Sequence, residues 1–272
     1  MYDKVKRETM VKTYFGCNIE DIASIVILTP VWSLENFKSR ADEVLTEFTG
    51  WYKGITLKFG SKRITVISSG IGAPRSGDCA LALGYTDCDT VIFSGSAGAV
   101  SQCCSIGDML IVSEAVIGEG YSRYHSGDIK RDCFGELVQG DKETAQKLLN
   151  AVMKYQSRYG IDCREGRVFS IDSLLGERKD TFDYMQEKGC DGVEMEVSAV
   201  FTACRCAGKK AAALIIISDL PLKYKNLFEG IMEIDIKRYN EIEYDLPGIL
   251  LEAAAGFRQI KKGGAADEIC QI

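Results

Sequence analysis

Continuous runs of apolar, often β-branched residues alternate with segments of helical periodicity along the chain. Each run is short and bounded by polar residues or glycine, which is typical of a buried strand. Two of the runs follow each other across Gly60-Ser61, which predicts a hairpin. The predicted strands are residues 22–29, 55–60, 62–70, 90–95, 108–118, 166–171 and 211–219.

Helical periodicity and capping residues place helices between these strands. Ser33 and Asp141 are suitable N-caps, Pro74 fits a first helical position, and Gly208 fits a helix end. The predicted helices are residues 33–48, 74–85, 141–160, 179–189, 193–208 after a short strand end, and most of the remainder to about residue 257. The alternation predicts one α/β domain over residues 1–272, with a peripheral N-terminal extension (1–20) and tail (258–272).

Composition and charge exclude several functional classes. The 272 residues include 33 Lys and Arg against 39 Asp and Glu, a net charge of −6, with no basic run. This argues against nucleic-acid or membrane-surface binding. The polar N-terminus lacks the apolar stretch of a secretory leader, and no apolar run reaches the roughly 18 residues of a membrane span. We therefore expect a cytoplasmic protein.

Cysteine and histidine usage narrows the chemistry further. The 11 cysteines form no C-x-x-C pair, so we interpret them as reduced, mostly buried side chains. His125 is the only histidine, which excludes a histidine-rich zinc site and the usual Ser-His-Asp and Cys-His catalytic sets. The sequence thus predicts no metal and no organic cofactor.

Four segments at predicted strand ends carry candidate functional groups: 68–75 (SSGIGAPR), 94–99 (SGSAGA), 193–196 (VEME) and 218–219 (SD). Ligands of open α/β sheets bind beyond the carboxyl ends of strands, where glycines let backbone N–H groups approach them closely. Each segment also has an ordinary structural interpretation. The glycines fit tight turns, the glutamates fit a helix start, and Asp219 fits a helix cap.

Together and in this order, the four segments resemble the nucleoside phosphorylase-I family of purine nucleoside phosphorylases, uridine phosphorylases and related nucleosidases. The resemblance spans about residues 22–223 and is strongest over 166–221, with further matches at FTGWYKG, GIGAP and GSAGAV…IGDMLIV. It implies a three-layer α/β/α fold whose central mixed, partly barrel-like sheet is flanked by helices. It also implies a homodimer or homohexamer that acts on a small-molecule nucleoside.

The resemblance assigns roles to residues of each segment. Asp219 matches the general acid that protonates a purine leaving group, and Ser218 precedes it. The remaining candidates are ribose-binding Glu196, Met195 and Glu194; phosphate- or water-binding Gly72, Arg75, Gly95 and Ser96; and base-binding Ala97, Gly98, Phe169, Ile171, Leu174 and Val193. Two of them depart from the family pattern, since Arg75 stands where relatives usually have serine and Leu174 or Leu175 stands where they have a stacking aromatic residue. His125 is a further candidate, for a 5′-hydroxyl.

Several family positions hold different residues in this chain. Trp32, Phe93 and a residue near Thr46 stand where phosphorylases have phosphate-binding arginines, and Leu34, beside Glu35, stands where nucleosidases have a water-activating glutamate. We favour phosphorolysis of a purine nucleoside, with inorganic phosphate as co-substrate. Hydrolysis of the nucleoside, or nucleoside binding without catalysis, are the alternatives.

Overall fold

The computed structural model describes residues 5–257, in which ten strands form one mixed sheet. The strands are β1 (Ile25–Thr29), β2 (Glu43–Thr49), β3 (Lys53–Phe59), β4 (Lys62–Ser68), β5 (Thr90–Ala99), β6 (Met109–Gly118), β7 (Leu137–Gln139), β8 (Cys163–Ile171), β9 (Gly192–Glu194) and β10 (Lys210–Asp219). Each predicted strand is present, and β5 continues to Ala99 through the glycine-containing residues 94–98, which form its last part and are called the glycine loop, or 94–98 loop, below.

Within residues 5–257, eight α-helices surround this sheet. They are α1 (Arg7–Phe15), α2 (Leu34–Lys38), α3 (Ala73–Ala82), α4 (Lys142–Val152), α5 (Tyr155–Tyr159), α6 (Lys179–Glu187), α7 (Val197–Cys206) and α8 (Glu233–Ala255). The predicted N-cap of α4 is confirmed, because Asp141 accepts a hydrogen bond from the Thr144 N–H at 2.8 Å.

The strand order makes part of the sheet a closed ring. Strands β10, β6, β8, β9 and β5 follow one another, and a parallel pairing of β10 with β5 closes the ring. An open wing of β1, β4, β3 and β2 continues from β5. The expectation of a mixed, partly barrel-like sheet flanked by helices is confirmed.

Alternate side chains of the central strands enter two different apolar clusters. In β5, Val91 and Phe93 belong to one cluster and Ile92 to the other. Helices α3 and α7 pack in the first cluster, and α4 and α8 in the second. Because both faces of the sheet are covered, its strands are continuous apolar runs.

The predicted helix over residues 33–48 is wrong beyond its first turn. Helix α2 ends at Lys38, and residues 43–49 form β2, which pairs antiparallel with β3. Strand β3 belongs to the hairpin across Gly60, whose φ of 57° suits the turn, and its outer edge needs a partner. Pairing along β3 outweighs the local helical pattern.

Helix α1 lies within the segment interpreted as an N-terminal extension, and it contributes to the core. Val11 and Phe15 are buried, and the Phe15 ring centroid lies 6.3 Å from that of Phe48 and 6.2 Å from that of Tyr52. The predicted tail, 258–272, lies outside the described residues. Within residues 5–257, no helix combines the length and the apolar character needed to cross a membrane.

Candidate active site at the strand ends

Glu196 and Gly72 join two of the four segments. Glu196 is 5% exposed, and its Oε1 accepts a hydrogen bond of 2.6 Å from the Gly72 N–H. Gly72 adopts φ 106° and ψ 145°, a conformation that side-chain-bearing residues rarely adopt, immediately before α3. Burial raises the pKa of Glu196, and backbone N–H groups oppose the rise by stabilising the carboxylate. The hydrogen bond from Gly72 therefore holds the Glu196 carboxyl, a hydrogen-bond acceptor, at the rim of the sheet, where the strands end.

Glu194, which the sequence analysis assigned to ribose, is hydrogen-bonded to the protein at the start of α7. Its Oε2 accepts hydrogen bonds from the N–H groups of Glu196 and Val197 at 2.7 and 2.8 Å, and its Oε1 accepts one from the Ser170 hydroxyl. Both oxygens are therefore occupied at the start of α7, where unpaired helix N–H groups need acceptors. Glu194 fixes the backbone that carries Glu196, while the partly exposed Met195 side chain lies between them in the sequence.

Asp219 ends β10 directly beside the glycine loop. It is 4% exposed and is paired with Gly98 across the sheet, next to a register shift after Ile217. The Ser218 hydroxyl lies 2.7 Å from Asp219 Oδ1 and 3.2 Å from the Ala97 carbonyl oxygen. Burial raises the pKa of Asp219 above its ordinary value, against the opposing effect of the Ser218 hydroxyl. A carboxyl in this environment is suited to hold a proton for transfer.

The sequence analysis missed Glu177, a carboxyl near enough to Asp219 for their charges to interact. It follows a short 3₁₀ turn, Leu174–Gly176, beyond the end of β8. Burial, with the nearby Asp219 carboxyl, raises the pKa of Glu177 to about 7. Glu177 lies in the polar segment GERKD (residues 176–180), whose sequence is that of an ordinary solvated loop. Only the folded chain therefore reveals its position.

Aromatic residues surround the loop of residues 94–98. The Trp32 indole N–H donates to the Ser94 hydroxyl at 3.1 Å, and Phe93 is fully buried. A Cβ placed on Gly95 would lie 3.5 Å from the Phe93 ring and 3.6 Å from Pro30. Ser96 is partly exposed.

The cations singled out from the sequence have partners elsewhere. Arg75 Nε donates to the Ser69 carbonyl at 2.9 Å, and its guanidinium lies 5.6 Å from the Tyr52 ring centroid. Lys223 donates to the Gln102 carbonyl and Lys225 pairs with Asp235, both at 3.0 Å.

The site carboxyls are also electrostatically isolated from cations. Within the described part of the chain, no Lys or Arg contributes to the pKa of Asp219, Glu177 or Glu196. The site thus combines three carboxyls with glycine N–H groups and hydroxyls.

The predicted base-binding residues divide into two groups. Ala97, Gly98 and Val193 meet where β9 pairs with the end of β5, and Ile171 and Leu174 lie at the end of β8 and just beyond it. Phe169 is fully buried and pairs with Val193 where β8 meets β9, and its ring lies 5.9 and 6.2 Å from the ring centroids of Phe134 and Tyr184.

His125 packs with an aromatic ring and a carboxyl on a different set of elements. Its ring centroid lies 4.7 Å from that of Tyr121, and Asp78 of α3 is near enough to affect its pKa. Burial lowers the pKa of His125, so the imidazole is neutral near pH 7.

The comparison with protein families decides the classification. Residues 25–238 match the family model described as the phosphorylase superfamily. The chain belongs to this superfamily. Among superfamily members, it is 28% identical over 229 residues to a DeoD-type purine nucleoside phosphorylase of Mycoplasma genitalium, covering 80% of this chain and 91% of the relative. It is 30% identical over 188 residues to one of Shewanella denitrificans, covering 68% and 73% respectively.

Solved structures of the superfamily share the fold. The purine nucleoside phosphorylase of Toxoplasma gondii, in complex with immucillin-H, gives a TM-score of 0.70 at 22% identity over 88% of this chain and 93% of that one. The uridine phosphorylase of Vibrio fischeri gives 0.67 at 23% identity over 87% and 93%. The predicted family and an enzyme of the nucleoside phosphorylase and nucleosidase kind are confirmed.

Proposed function

We propose that the enzyme cleaves the N-glycosidic bond of a purine nucleoside by phosphorolysis, giving free base and ribose 1-phosphate. The observation that carries this proposal is the buried Asp219 carboxyl beside Gly98, at the rim where Gly72 holds Glu196. The purine relatives and their printed activity support the choice of base and of phosphate as the attacking group.

The chemistry needs two carboxyls in opposite protonation states. Breaking the C1′–N9 bond develops positive charge on the ribose, which an ionised Glu196 bound to the 2′- and 3′-hydroxyls stabilises. The purine leaves more readily when its N7 accepts a proton, which Asp219 supplies if it is protonated. Ser96 and the N–H groups of the 94–98 loop then face the attacking oxygen.

Hydrolysis is the second candidate. It is favoured by the residues around the 94–98 loop, where we expect the attacking group to bind. Trp32 and Phe93 lie around the 94–98 loop in place of cations, and Arg75 binds the Ser69 carbonyl. A phosphate dianion bound without guanidinium groups lacks the strong, charge-assisted hydrogen bonds that usually hold it. Water as the attacking group does not need them.

An assay with and without phosphate separates these candidates. Inosine and adenosine are incubated with the enzyme, and base, ribose and ribose 1-phosphate are quantified. Phosphorolysis predicts base release that saturates with phosphate and yields ribose 1-phosphate. Equal turnover in phosphate-free buffer, with free ribose as product, establishes hydrolysis instead. Tight nucleoside binding with no base released over hours contradicts both and leaves a binding or storage protein.

The pair of Glu177 and Asp219 gives a prediction for pH dependence. The Asp219 carboxyl contributes to the raised pKa of Glu177. Since the repulsion between two carboxylates is reciprocal, the neutral variant Glu177→Gln is expected to lower the pKa of Asp219. Because Asp219 acts when protonated, the alkaline fall in kcat is expected at lower pH in the variant, by up to about one unit. The measurement is kcat for inosine between pH 5.5 and 9.

The control for this shift is Glu187→Gln, which removes an exposed carboxyl of α6. Its profile is expected to match that of the wild type. A Glu177→Gln profile that moves to higher pH, or not at all, contradicts an electrostatic link between Glu177 and the acid.

The resemblance also supports a homodimer or homohexamer, a cytoplasmic location and inorganic phosphate as the co-substrate. Exposed Val44 and Leu45 lie on β2, the outer strand of the open wing, where a second copy of the chain can pack. These assignments stay proposals.

A further inference from the structure

Ser170 carries a buried hydroxyl on β8 that the proposed chemistry does not use. Its side chain is fully buried, and the register of β8 against β9 places it beside Glu194. The Ser170 hydroxyl donates to Glu194 Oε1, and its oxygen accepts a hydrogen bond of 2.8 Å from the Ser198 N–H of α7. One side chain therefore connects two strands to the start of a helix.

The hydrogen bonds of Ser170 fix the direction of its proton. A backbone N–H can only donate, so the bond from Ser198 uses the hydroxyl oxygen as an acceptor. The single hydroxyl proton then goes to Glu194, which also accepts from the N–H groups of Glu196 and Val197 at 2.7 and 2.8 Å. Three donors on two oxygens favour the ionised form of Glu194, because a charged acceptor makes the stronger hydrogen bonds.

This arrangement caps α7 without the side chain of its own N-cap residue. Glu196 occupies the N-cap position, but its carboxyl makes no capping hydrogen bond. The N–H groups of residues 196, 197 and 198, which need acceptors at a helix start, are bound by Glu194 and Ser170 instead. The Glu196 carboxyl can therefore accept from the Gly72 N–H at 2.6 Å and stay at the rim of the sheet.

We propose that Ser170 is a positioning residue for ribose recognition, because it holds Glu194 on the first N–H groups of α7 and thereby keeps the Glu196 carboxyl directed at the ribose hydroxyls. The inference rests on the proposed function, since it requires Glu196 to bind those hydroxyls. Ser170 acts through the two glutamates and not on the reacting atoms.

The test compares Ser170→Ala with the wild type on inosine and on 2′,3′-dideoxyinosine, which lacks the two hydroxyls. Without the Ser170 hydroxyl, Glu194 loses one donor and α7 loses one acceptor, so Glu196 is held less accurately. We expect kcat/KM for inosine to fall about 3- to 10-fold, as for one hydrogen bond, and that for the dideoxynucleoside to change by less than about twofold. In the Glu196→Gln background, Ser170→Ala is expected to add little further loss on inosine, because the carboxylate that it positions is already gone.

Ser122→Ala is the matched control. Ser122 is also a buried serine whose hydroxyl donates to a buried carboxyl, but that carboxyl belongs to Glu119, which follows the end of β6. Any loss in this variant is expected to be equal on both nucleosides. Ser170→Cys fills nearly the same space with a much weaker donor, so we expect it to show the same selective loss as Ser170→Ala. It takes the place of Ser170→Ala if the alanine variant does not fold.

Two results would overturn the inference. One is a loss in Ser170→Ala that is equal on both nucleosides, and the other is a loss that persists undiminished in the Glu196→Gln background. Wild-type enzyme that releases no base from any purine nucleoside overturns the proposed function instead. The preference for inosine over 2′,3′-dideoxyinosine is then measured as a ratio of Kd values, which Ser170→Ala is still expected to reduce about 3- to 10-fold. An unchanged ratio contradicts the role of Ser170.

Discussion

Replacing Asp219 by asparagine is expected to lower kcat for inosine by about 10²- to 10⁴-fold, the range typical of a lost general acid. The amide keeps the size of the side chain and its acceptor oxygen toward the Ser218 hydroxyl, 2.7 Å away in the wild type. It has no proton to transfer at neutral pH. The measurement is steady-state base release from inosine at the pH optimum of the wild type.

A second substrate shows whether the lost function is proton transfer to N7. The base of 7-methylguanosine is already cationic, so its departure needs no proton at this position. Asp219→Asn is expected to cleave it within about tenfold of the wild-type rate. Equal losses on both nucleosides would mean that Asp219 serves binding or folding. Asp183→Asn, an exposed α6 residue paired with Lys179, is the control for removing a carboxyl.

The strands of this fold are readable from the sequence because burial on both faces makes each one a continuous apolar run, as in β1 and β10. Strand β2 could not be predicted from the sequence, because only Phe48 of its seven residues is buried and the strand therefore has no apolar run. Its conformation is set by pairing with β3, and such pairing is not encoded in the local pattern.

The residues of the candidate site also fall into those that the sequence reveals and those that it does not. Asp219 and Glu196 could be found because each follows an apolar strand at a position that the family resemblance covers. Glu177 could not, since it lies in a polar loop. The sequence VEME does not show that its two glutamates differ, but their hydrogen bonds do. Glu194 accepts hydrogen bonds from the backbone at the start of α7, whereas Glu196 accepts one from the Gly72 N–H at the edge of the sheet.

Glu196→Gln tests whether Glu196 binds the ribose hydroxyls while Glu194 binds only protein groups. The amide oxygen can still accept the hydrogen bond from the Gly72 N–H, 2.6 Å long in the wild type, so the fold around it is retained. The negative charge that we propose holds the ribose hydroxyls is lost. A hydrogen bond to a charged group contributes about 1.5–3 kcal/mol, so kcat/KM for inosine is expected to fall about 10- to 150-fold.

The loss is expected to depend on the hydroxyls themselves. With 2′,3′-dideoxyinosine, which offers Glu196 nothing to bind, wild type and Glu196→Gln are expected to differ much less than with inosine. The measurement is kcat/KM for both nucleosides in both proteins, with the exposed Glu187→Gln as control for the removal of a carboxylate. An equal loss on both nucleosides contradicts ribose binding. It would leave Glu196 as a source of negative charge for the transition state, held in place by Gly72 and by the backbone that Glu194 fixes.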